Sequence, residues 1–192
     1  MRPVERSEVL KIGDYEAIRE PFRARVIGEK KLRRVALGPH ATCLFENHDT
    51  VLLQIQEMLR TERISREASI LHEIETYNEL VPGDRELSAT IMLEVDDREA
   101  REKFLVDAAG IHERIELHVD GEVSHAVIDP ARVEPGRTSA VLYLKFPLTD
   151  AAIAALRAGG ARVAVTIGHP AYEARADLGP QAVKSLAEDF DG

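Results

Sequence analysis

The stretch from residue 45 to residue 63 reads Phe-Glu-Asn-His-Asp-Thr-Val-Leu-Leu-Gln-Ile-Gln-Glu-Met-Leu-Arg-Thr-Glu-Arg. On a helix that starts at Thr50, its apolar positions share one face: Val51, Leu52, Ile55, Met58 and Leu59. Carboxylates, carboxamides and guanidinium groups crowd around that face. Polar groups this dense beside a core must be hydrogen-bonded or take part in chemistry. This segment is therefore where we look first for function.

The composition is that of a soluble globular protein, with 44% hydrophobic and 31% charged residues in 192. No apolar run approaches the ~18 residues of a membrane span, and the N-terminus lacks the apolar core of a signal peptide. We therefore expect a cytoplasmic protein. The single cysteine, Cys43, excludes an intramolecular disulfide and a cysteine-rich metal site. Its apolar neighbours predict a small buried side chain, and a reactive thiol is the alternative.

The net charge of −9 is unevenly distributed along the chain. Residues 1–80 carry 13 basic against 14 acidic side chains, whereas residues 81–192 carry 12 against 20. The acidic second half would repel phosphate backbones, which argues against nucleic-acid binding.

The first half predicts a mainly helical module. A helix capped by Asp14 is expected to be kinked or interrupted at Pro21. An extended pair follows over 35–45, broken at Gly38-Pro39, and then come helices over 50–64 and 66–80, the second capped by Ser65. Residues 81–84 stop the last helix, so we predict a domain of residues 1–84.

The second half, residues 85–192, predicts alternating strands and helices. Strands are expected over 87–95, 111–119, 138–146 and 161–167. Helices are expected to Ala109 from a cap at Asp96 or Asp97, over 150–158 from a cap at Thr149, and over 180–190. The pair Asp120-Gly121 indicates a hairpin to an inserted strand at 123–128. Without that insertion the order is βαββαβ, a ferredoxin-like antiparallel sheet, so the predicted class is α+β. The loop at 169–172 is expected only to turn the chain, although it could line a cleft.

The candidate binding residues come from the opening segment: Glu46, Asn47, Asp49, Gln54, Glu57, Arg60, Glu62 and Arg63. Glu62 falls within the apolar stripe, where a carboxylate should be paired with an arginine or have a raised pKa. Alternatively, Glu62 simply ends the helix and reaches solvent or Arg66.

A metal site is a second possibility, because Glu57, Glu62 and His72 could supply ligands for iron or manganese across a helix hairpin. However, position 69 is Ser69, so the Glu-x-x-His pair of di-iron helices is missing. Sequence motifs of serine nucleophiles, dinucleotide loops and phosphate loops are also missing.

The predicted first helix has a basic face that includes Arg19, Arg23, Lys30 and Lys31. Such a face is commonly solvated, but it could instead dock an acidic partner or a phosphorylated ligand.

Several motifs resemble an uncharacterised bacterial domain-of-unknown-function family, family three-five-zero-one. They include Phe45-Glu46-Asn47-x-Asp49-Thr50, the following 54–64 helix segment, Lys31-x-Arg33-Arg34-Val35, and Tyr77-Asn78-x-Leu80-Val81-Pro82. The likeness extends along nearly the whole chain. It implies no activity, but genes of this family tend to lie near those for rubrerythrin-type proteins and iron–sulfur oxidoreductases. The resemblance therefore implies an auxiliary role in a redox or oxidative-stress system, with such a redox protein as partner.

Three hypotheses follow. The first is a non-catalytic binding or assembly protein. The second is a metal-dependent redox enzyme or an acid/base enzyme centred on Glu46, Asp49, Glu57, Glu62 and His72. The third is that the segment is architectural, with Asn47 and Asp49 capping the helix and charged pairs tying the N-terminal module to the sheet. The sequence identifies no cofactor and leaves open whether a reaction is catalysed.

Overall fold

The structure is a computed structural model that describes residues 1–190. Over this range the helices are α1 (Ile12–Arg33), α2 (His48–Thr61), α3 (Glu67–Asn78), α4 (Arg98–Asp107), α5 (Asp150–Ala158) and α6 (Pro180–Ala187). The strands are β1 (Arg34–Ala36), β2 (Ala41–Glu46), β3 (Glu86–Leu93), β4 (Ile115–Val119), β5 (Glu122–His125), β6 (Val141–Pro147), β7 (Val163–His169) and β8 (Tyr172–Asp177). The predicted α+β class, helical first and then rich in sheet, is confirmed.

The strands form two antiparallel four-stranded sheets, and this differs from a ferredoxin-like arrangement. The first sheet has the order β1-β2-β3-β6 and the second the order β5-β4-β7-β8. The four strands predicted to share one sheet are thus divided, because β3 pairs with β6 and β4 pairs with β7. The predicted inserted strand is present as β5, which pairs with β4 across the Asp120-Gly121 turn.

One hydrophobic cluster joins the inward faces of both sheets. Alternate residues of each strand enter it, such as Phe45, Ile91, Leu144, Leu117 and Val165. This alternation is what a sheet with one buried face requires. Cys43 is also in this cluster and fully buried, as predicted, and burial raises the pKa of its thiol.

The other face of the first sheet is covered by the N-terminal helices. A second cluster of buried side chains, including Val51, Ile55, Leu59 and Ile74, unites α2 and α3, and Tyr143 of β6 packs against it. The molecule is therefore layered as helices, first sheet and second sheet. The first sheet contains strands from before and after residue 84, since β2 pairs with β3. The division into domains of residues 1–84 and 85–192 stays a prediction.

Several local predictions need correction. α1 begins at Ile12 after Lys11, so Asp14 is not its cap, and α1 continues through Pro21. Pro21 is exposed, so water can solvate the carbonyl group that the missing N–H leaves unpaired. α3 begins after Arg66 rather than at a Ser65 cap.

The turn at 169–172 leads into β8, an edge strand that we did not predict. The Tyr172 hydroxyl donates to the carbonyl of Leu37 and accepts from the His40 N–H at 3.0 Å, which ties the second sheet to the β1–β2 turn. Gly38 has φ +69° in that turn, and a Cβ there would lie 2.7 Å from the Tyr172 hydroxyl oxygen. Only glycine fits this close approach.

None of the helices over residues 1–190 is long and apolar enough to cross a membrane.

Candidate functional site

The start of α2 is fixed by reciprocal hydrogen bonds between Asn47 and Thr50. The Asn47 Oδ1 accepts from the Thr50 N–H at 3.0 Å, and the Asn47 N–H donates to the Thr50 hydroxyl at 2.9 Å. The Asn47 amide also donates to the Glu29 carboxylate of α1. The predicted capping role of Asn47 is therefore confirmed. Asp49 lies in the first turn of α2, where a negative charge is favourable.

Glu46 is a buried carboxylate with hydrogen bonds to both of its oxygens. The Thr50 hydroxyl donates to Oε2 at 2.6 Å, and the Thr90 hydroxyl donates to Oε1 at 2.7 Å. Only 6% of Glu46 is exposed. Because Thr90 belongs to β3, this carboxylate connects the first turn of α2 with the centre of the first sheet.

Arg33, the last residue of α1, is the largest fully buried side chain. Its guanidinium donates to the carbonyl groups of Phe45 at 3.0 Å and Glu46 at 3.1 Å. It also donates to the Ser185 carbonyl at 2.9 Å and to both oxygens of Asp189. A fork of donors is the geometry in which arginine binds a carboxylate best. Arg33 thereby fastens α1, β2 and the C-terminal α6 region at one buried point.

Glu57 is held on α2 by side chains of α1. Its Oε1 accepts from the Tyr15 hydroxyl at 2.7 Å, and Arg19 donates to both of its oxygens at 2.8 and 2.9 Å. The hydrogen bonds from Arg19, with those from Tyr15, lower the pKa of Glu57 to about 2 against the cost of partial burial. Burial and Glu57 together raise the pKa of Tyr15. Glu57 is thus an anion held in place by two side chains of α1.

Further pairs join α2 to the N-terminal segment and α1. The imidazole of His48 lies between two carboxylates, with Nδ1 3.1 Å from Asp49 and Nε2 3.2 Å from Glu8. The hydrogen bond to Asp49, assisted by Glu8, raises the pKa of His48 against the opposing effect of burial. Arg25 of α1 contacts Asp49 at 2.5 Å. The hydrogen bonds from His48 and Arg25 lower the pKa of Asp49 to about 2.

The remaining candidates lie at the surface or pair within the helical layer. Arg60 contacts Glu16 of α1 at 2.6 Å. Glu62 is exposed at the C-terminal end of α2, so the predicted buried pair with an arginine is wrong and the alternative holds. Arg63 is exposed with φ 53°, where the chain turns toward α3. Charged pairs from α2 therefore reach mainly α1, whereas the buried link between α2 and the first sheet is the Thr50 hydroxyl bonded to Glu46 at the end of β2.

The metal-ligand set proposed from the sequence is not assembled. Glu57 is engaged by Arg19 and Tyr15, and His72 is exposed on α3. Within residues 1–190, no group of three or more histidine, cysteine, aspartate or glutamate side chains has the geometry to hold a metal ion. The reason is that α3 presents His72 away from the face that meets α2.

A groove of about 370 Å³ lies between α1 and α2. It is lined by Arg23, Ile27, Lys30, Leu53, Gln54, Glu57, Met58, Thr61 and Glu62. Two of the four docking candidates, Arg23 and Lys30, lie on its rim, and Lys31 is exposed beyond it. Arg19 is not available for docking, because it is committed to Glu57.

Several side chains that hold this region together are not recognisable from the sequence alone. Thr90, Ser185 and Asp189 have no local signal, since they meet Glu46 and Arg33 only through the fold. Gln56 was also not a candidate, but it is buried and exchanges two hydrogen bonds with the backbone of Leu10. A polar residue inside an apolar helical stripe was the available signal for Gln56.

Comparison with known proteins agrees with this architecture. The model of a family described as "Protein of unknown function (DUF3501)" matches residues 3–190. A crystal structure of a novel protein of unknown function from Burkholderia pseudomallei K96243 is 37% identical and has a TM-score of 0.91. The match covers 99% of this chain and 100% of that one. A search of curated proteins gave no match. On this evidence, the chain belongs to the DUF3501 family of proteins of unknown function.

Proposed function

We propose that this protein is a non-catalytic binding protein of the cytoplasm, auxiliary to a redox or oxidative-stress system. Its partner is a redox protein, of the rubrerythrin or iron–sulfur oxidoreductase type, with an acidic surface. The docking surface is the α1–α2 groove with Arg23 and Lys30 on its rim and exposed Lys31 beyond it.

This proposal is supported above all by two basic side chains at the groove that have no carboxylate partner. Among residues 1–190, no carboxylate lies within 4.0 Å of Arg23 or Lys30, although both line the groove. Their positions seven residues apart put them on one face of α1, two turns from each other. The floor between them is apolar, with Ile27, Leu53 and Met58. The groove also contains Glu57, which Arg19 neutralises, and exposed Glu62 at the end of α2. The two cations of α1 beside the apolar floor suit an acidic protein surface that approaches from the α1 side.

The neighbouring acidic residues support binding over catalysis. Glu57 and Asp49 are neutralised by arginines of α1, and Glu46 has both oxygens occupied by threonine hydroxyls. A general acid or base works best with a pKa near the working pH, whereas the pKa of Glu57 and that of Asp49 are lowered to about 2. Their ion pairs with Arg19 and Arg25 connect α2 with α1 beside the groove.

The helix provides enough length for a protein interface. α1 has 22 residues, which corresponds to roughly 33 Å at the standard rise per residue. A specific interface buries on the order of 800 Å² per partner, which a helix of this length and the adjoining α2 can supply.

The proposal is tested by measuring the affinity of a purified rubrerythrin-type protein for the wild type and for a variant with two reversed charges. Arg23→Glu with Lys30→Glu should weaken the affinity at least about tenfold, since reversing two rim charges turns attraction into repulsion. The wild-type affinity should fall as salt rises. The matched control is Arg98→Glu with Arg114→Glu, which makes the same change in net charge at exposed positions outside the groove.

Equal weakening by both double variants would show a general charge effect and would reject the groove as the docking surface. Failure of the wild type to bind either a rubrerythrin-type protein or an iron–sulfur oxidoreductase at about 100 µM, a weak interaction on the usual affinity scale, would reject the redox partner.

A further inference from the structure

A larger cleft shares no lining residue with the α1–α2 groove. It opens between α6, the end of α5 and the ends of β4 and β8, and its volume is about 950 Å³. The turn at Gly159-Gly160, with φ +76° at both residues, forms part of its wall. Cavities of this size accommodate small organic ligands.

The wall of the cleft that belongs to α6 is apolar. Val183 and Ala187 line it one turn apart on this helix, and Leu178 and Leu156 continue the same surface. Val183 and Leu156 are buried, so they form the floor of the cleft and not its rim. An apolar surface inside a concavity favours a ligand with an apolar body.

The rim of the cleft carries basic side chains that are incompletely neutralised. Arg175 is bonded to Asp177 at 2.8 Å, but its side chain is 58% exposed. The Arg162 side chain is 95% exposed, and its contact with the Asp120 carboxylate is loose, with a shortest distance of 3.9 Å. Lys184 of α6 is exposed and has no carboxylate within 4.0 Å among residues 1–190. Arg157 is engaged with the carbonyl of Phe190.

Apart from Arg157, which is engaged, the charged lining is balanced, which contrasts with the net charge of −9 of the chain. Three cations face three carboxylates there: Arg162, Arg175 and Lys184 against Asp120, Asp177 and Glu188. Lys184, with no carboxylate within 4.0 Å among residues 1–190, lies beside the apolar floor, where an unpaired cation attracts an anion.

We propose that this cleft binds a small amphipathic anion, in which a carboxylate or sulfonate-like head is attached to an apolar body. The head contacts Lys184 and Arg175, and the body lies on Val183, Ala187 and Leu178. This site is independent of the docking surface on α1 and α2.

Fluorescence titration with 8-anilinonaphthalene-1-sulfonate, an anion on an apolar body, tests the site in the native protein. The probe should bind with enhanced emission and should be displaced by decanoate, whereas 1-decanol, which lacks the charge, should displace it at least tenfold less well. Lys184→Glu with Arg175→Glu should weaken binding of the probe about tenfold or more. Because both side chains are exposed, the variant should melt like the wild type, and the melt verifies this.

The matched control is Lys103→Glu with Arg98→Glu on α4, which makes the same charge change outside the cleft and should leave the titration unchanged. Native protein that does not enhance probe emission would overturn the proposal. Equal displacement by decanoate and 1-decanol would overturn the role of the charge. Equal binding by the cleft variant and the control would overturn the location.

Discussion

Removing one partner of the buried Arg33–Asp189 pair should destabilise the protein strongly. The two side chains are 1% and 3% exposed, so Asp189→Asn leaves the guanidinium charge in the interior without a counter-charge. Breaking such a pair costs about 3–5 kcal/mol. With a urea m-value of about 2 kcal/mol/M, the unfolding midpoint should fall by roughly 2 M. The melting temperature should fall by about 10 °C.

Replacing both partners should restore much of this loss. Burial raises the pKa of Asp189 and Arg33 opposes that rise, with a net upward direction, so desolvation disfavours the charged form of this carboxyl. The double variant Arg33→Met with Asp189→Leu removes both charges and that cost with them. It should therefore be more stable than Asp189→Asn, although the carbonyl groups that Arg33 serves keep it below the wild type.

The control for this experiment is Asp177→Asn, which breaks the exposed pair with Arg175. Its midpoint should change by less than about 0.3 M, because exposed pairs contribute little. If Asp189→Asn unfolds at the same urea concentration as this control, then the ion pair between Arg33 and Asp189 does not stabilise the contact of the α6 region with α1 and β2 as described.

Three further outcomes test the helical layer. Glu57→Gln should lower the free energy of unfolding by about 1 kcal/mol at pH 7, after allowance for partial exposure. Because the folded pKa of Glu57 is lowered to about 2, the difference in stability from the wild type, measured by urea melts, should vanish as the pH falls from 5 to 2. A difference that does not depend on pH would contradict the pairing. Thr90→Val removes one donor to the buried Glu46 and should cost about 1–3 kcal/mol, measured by the same melts, whereas a cost below about 0.5 kcal/mol would mean that Glu46 is not held by Thr90. The pKa of His48 is raised, so its contribution to stability should be complete below pH 6.5 and lost as pH rises through the folded pKa; an NMR titration of its ring protons that gives a pKa at or below 6.5 would refute this.

Local signals predicted the helix starts well where the cap is a side chain that contacts its own neighbours. Asn47, Asp97 and Thr149 each accept a hydrogen bond from a backbone N–H three residues ahead, and that information is contained in four consecutive residues. The Asp120-Gly121 hairpin is equally local. The caps expected at Asp14 and Ser65 failed because other residues start those helices without a side-chain bond.

Contacts between strands or side chains that are distant in the sequence could not be predicted from such local signals. The choice between one ferredoxin-like sheet and two sheets depends on which strand each strand pairs with, and the paired residues of β3 and β6 lie between 49 (Met92 and Val141) and 61 (Glu86 and Pro147) positions apart. The strand β8 was missed because its alternating charged and alanine residues have low strand propensity and it lies at a sheet edge. In the site, dense polar residues correctly indicated a hydrogen-bonded region, but Arg33 and Asp189 are separated by 156 positions, and only the fold brings them together.

Chemical-shift mapping of the ¹⁵N-labelled protein with an unlabelled rubrerythrin-type protein tests the central claim most directly, because it reports where the partner contacts the chain. The amide signals of Arg23, Ile27 and Lys30 on α1, and of Gln54 and Met58 on α2, should shift and broaden together as the partner is added. Perturbations confined to the sheets, or the same weak perturbations with the Arg23→Glu, Lys30→Glu variant, would contradict docking at the α1–α2 groove.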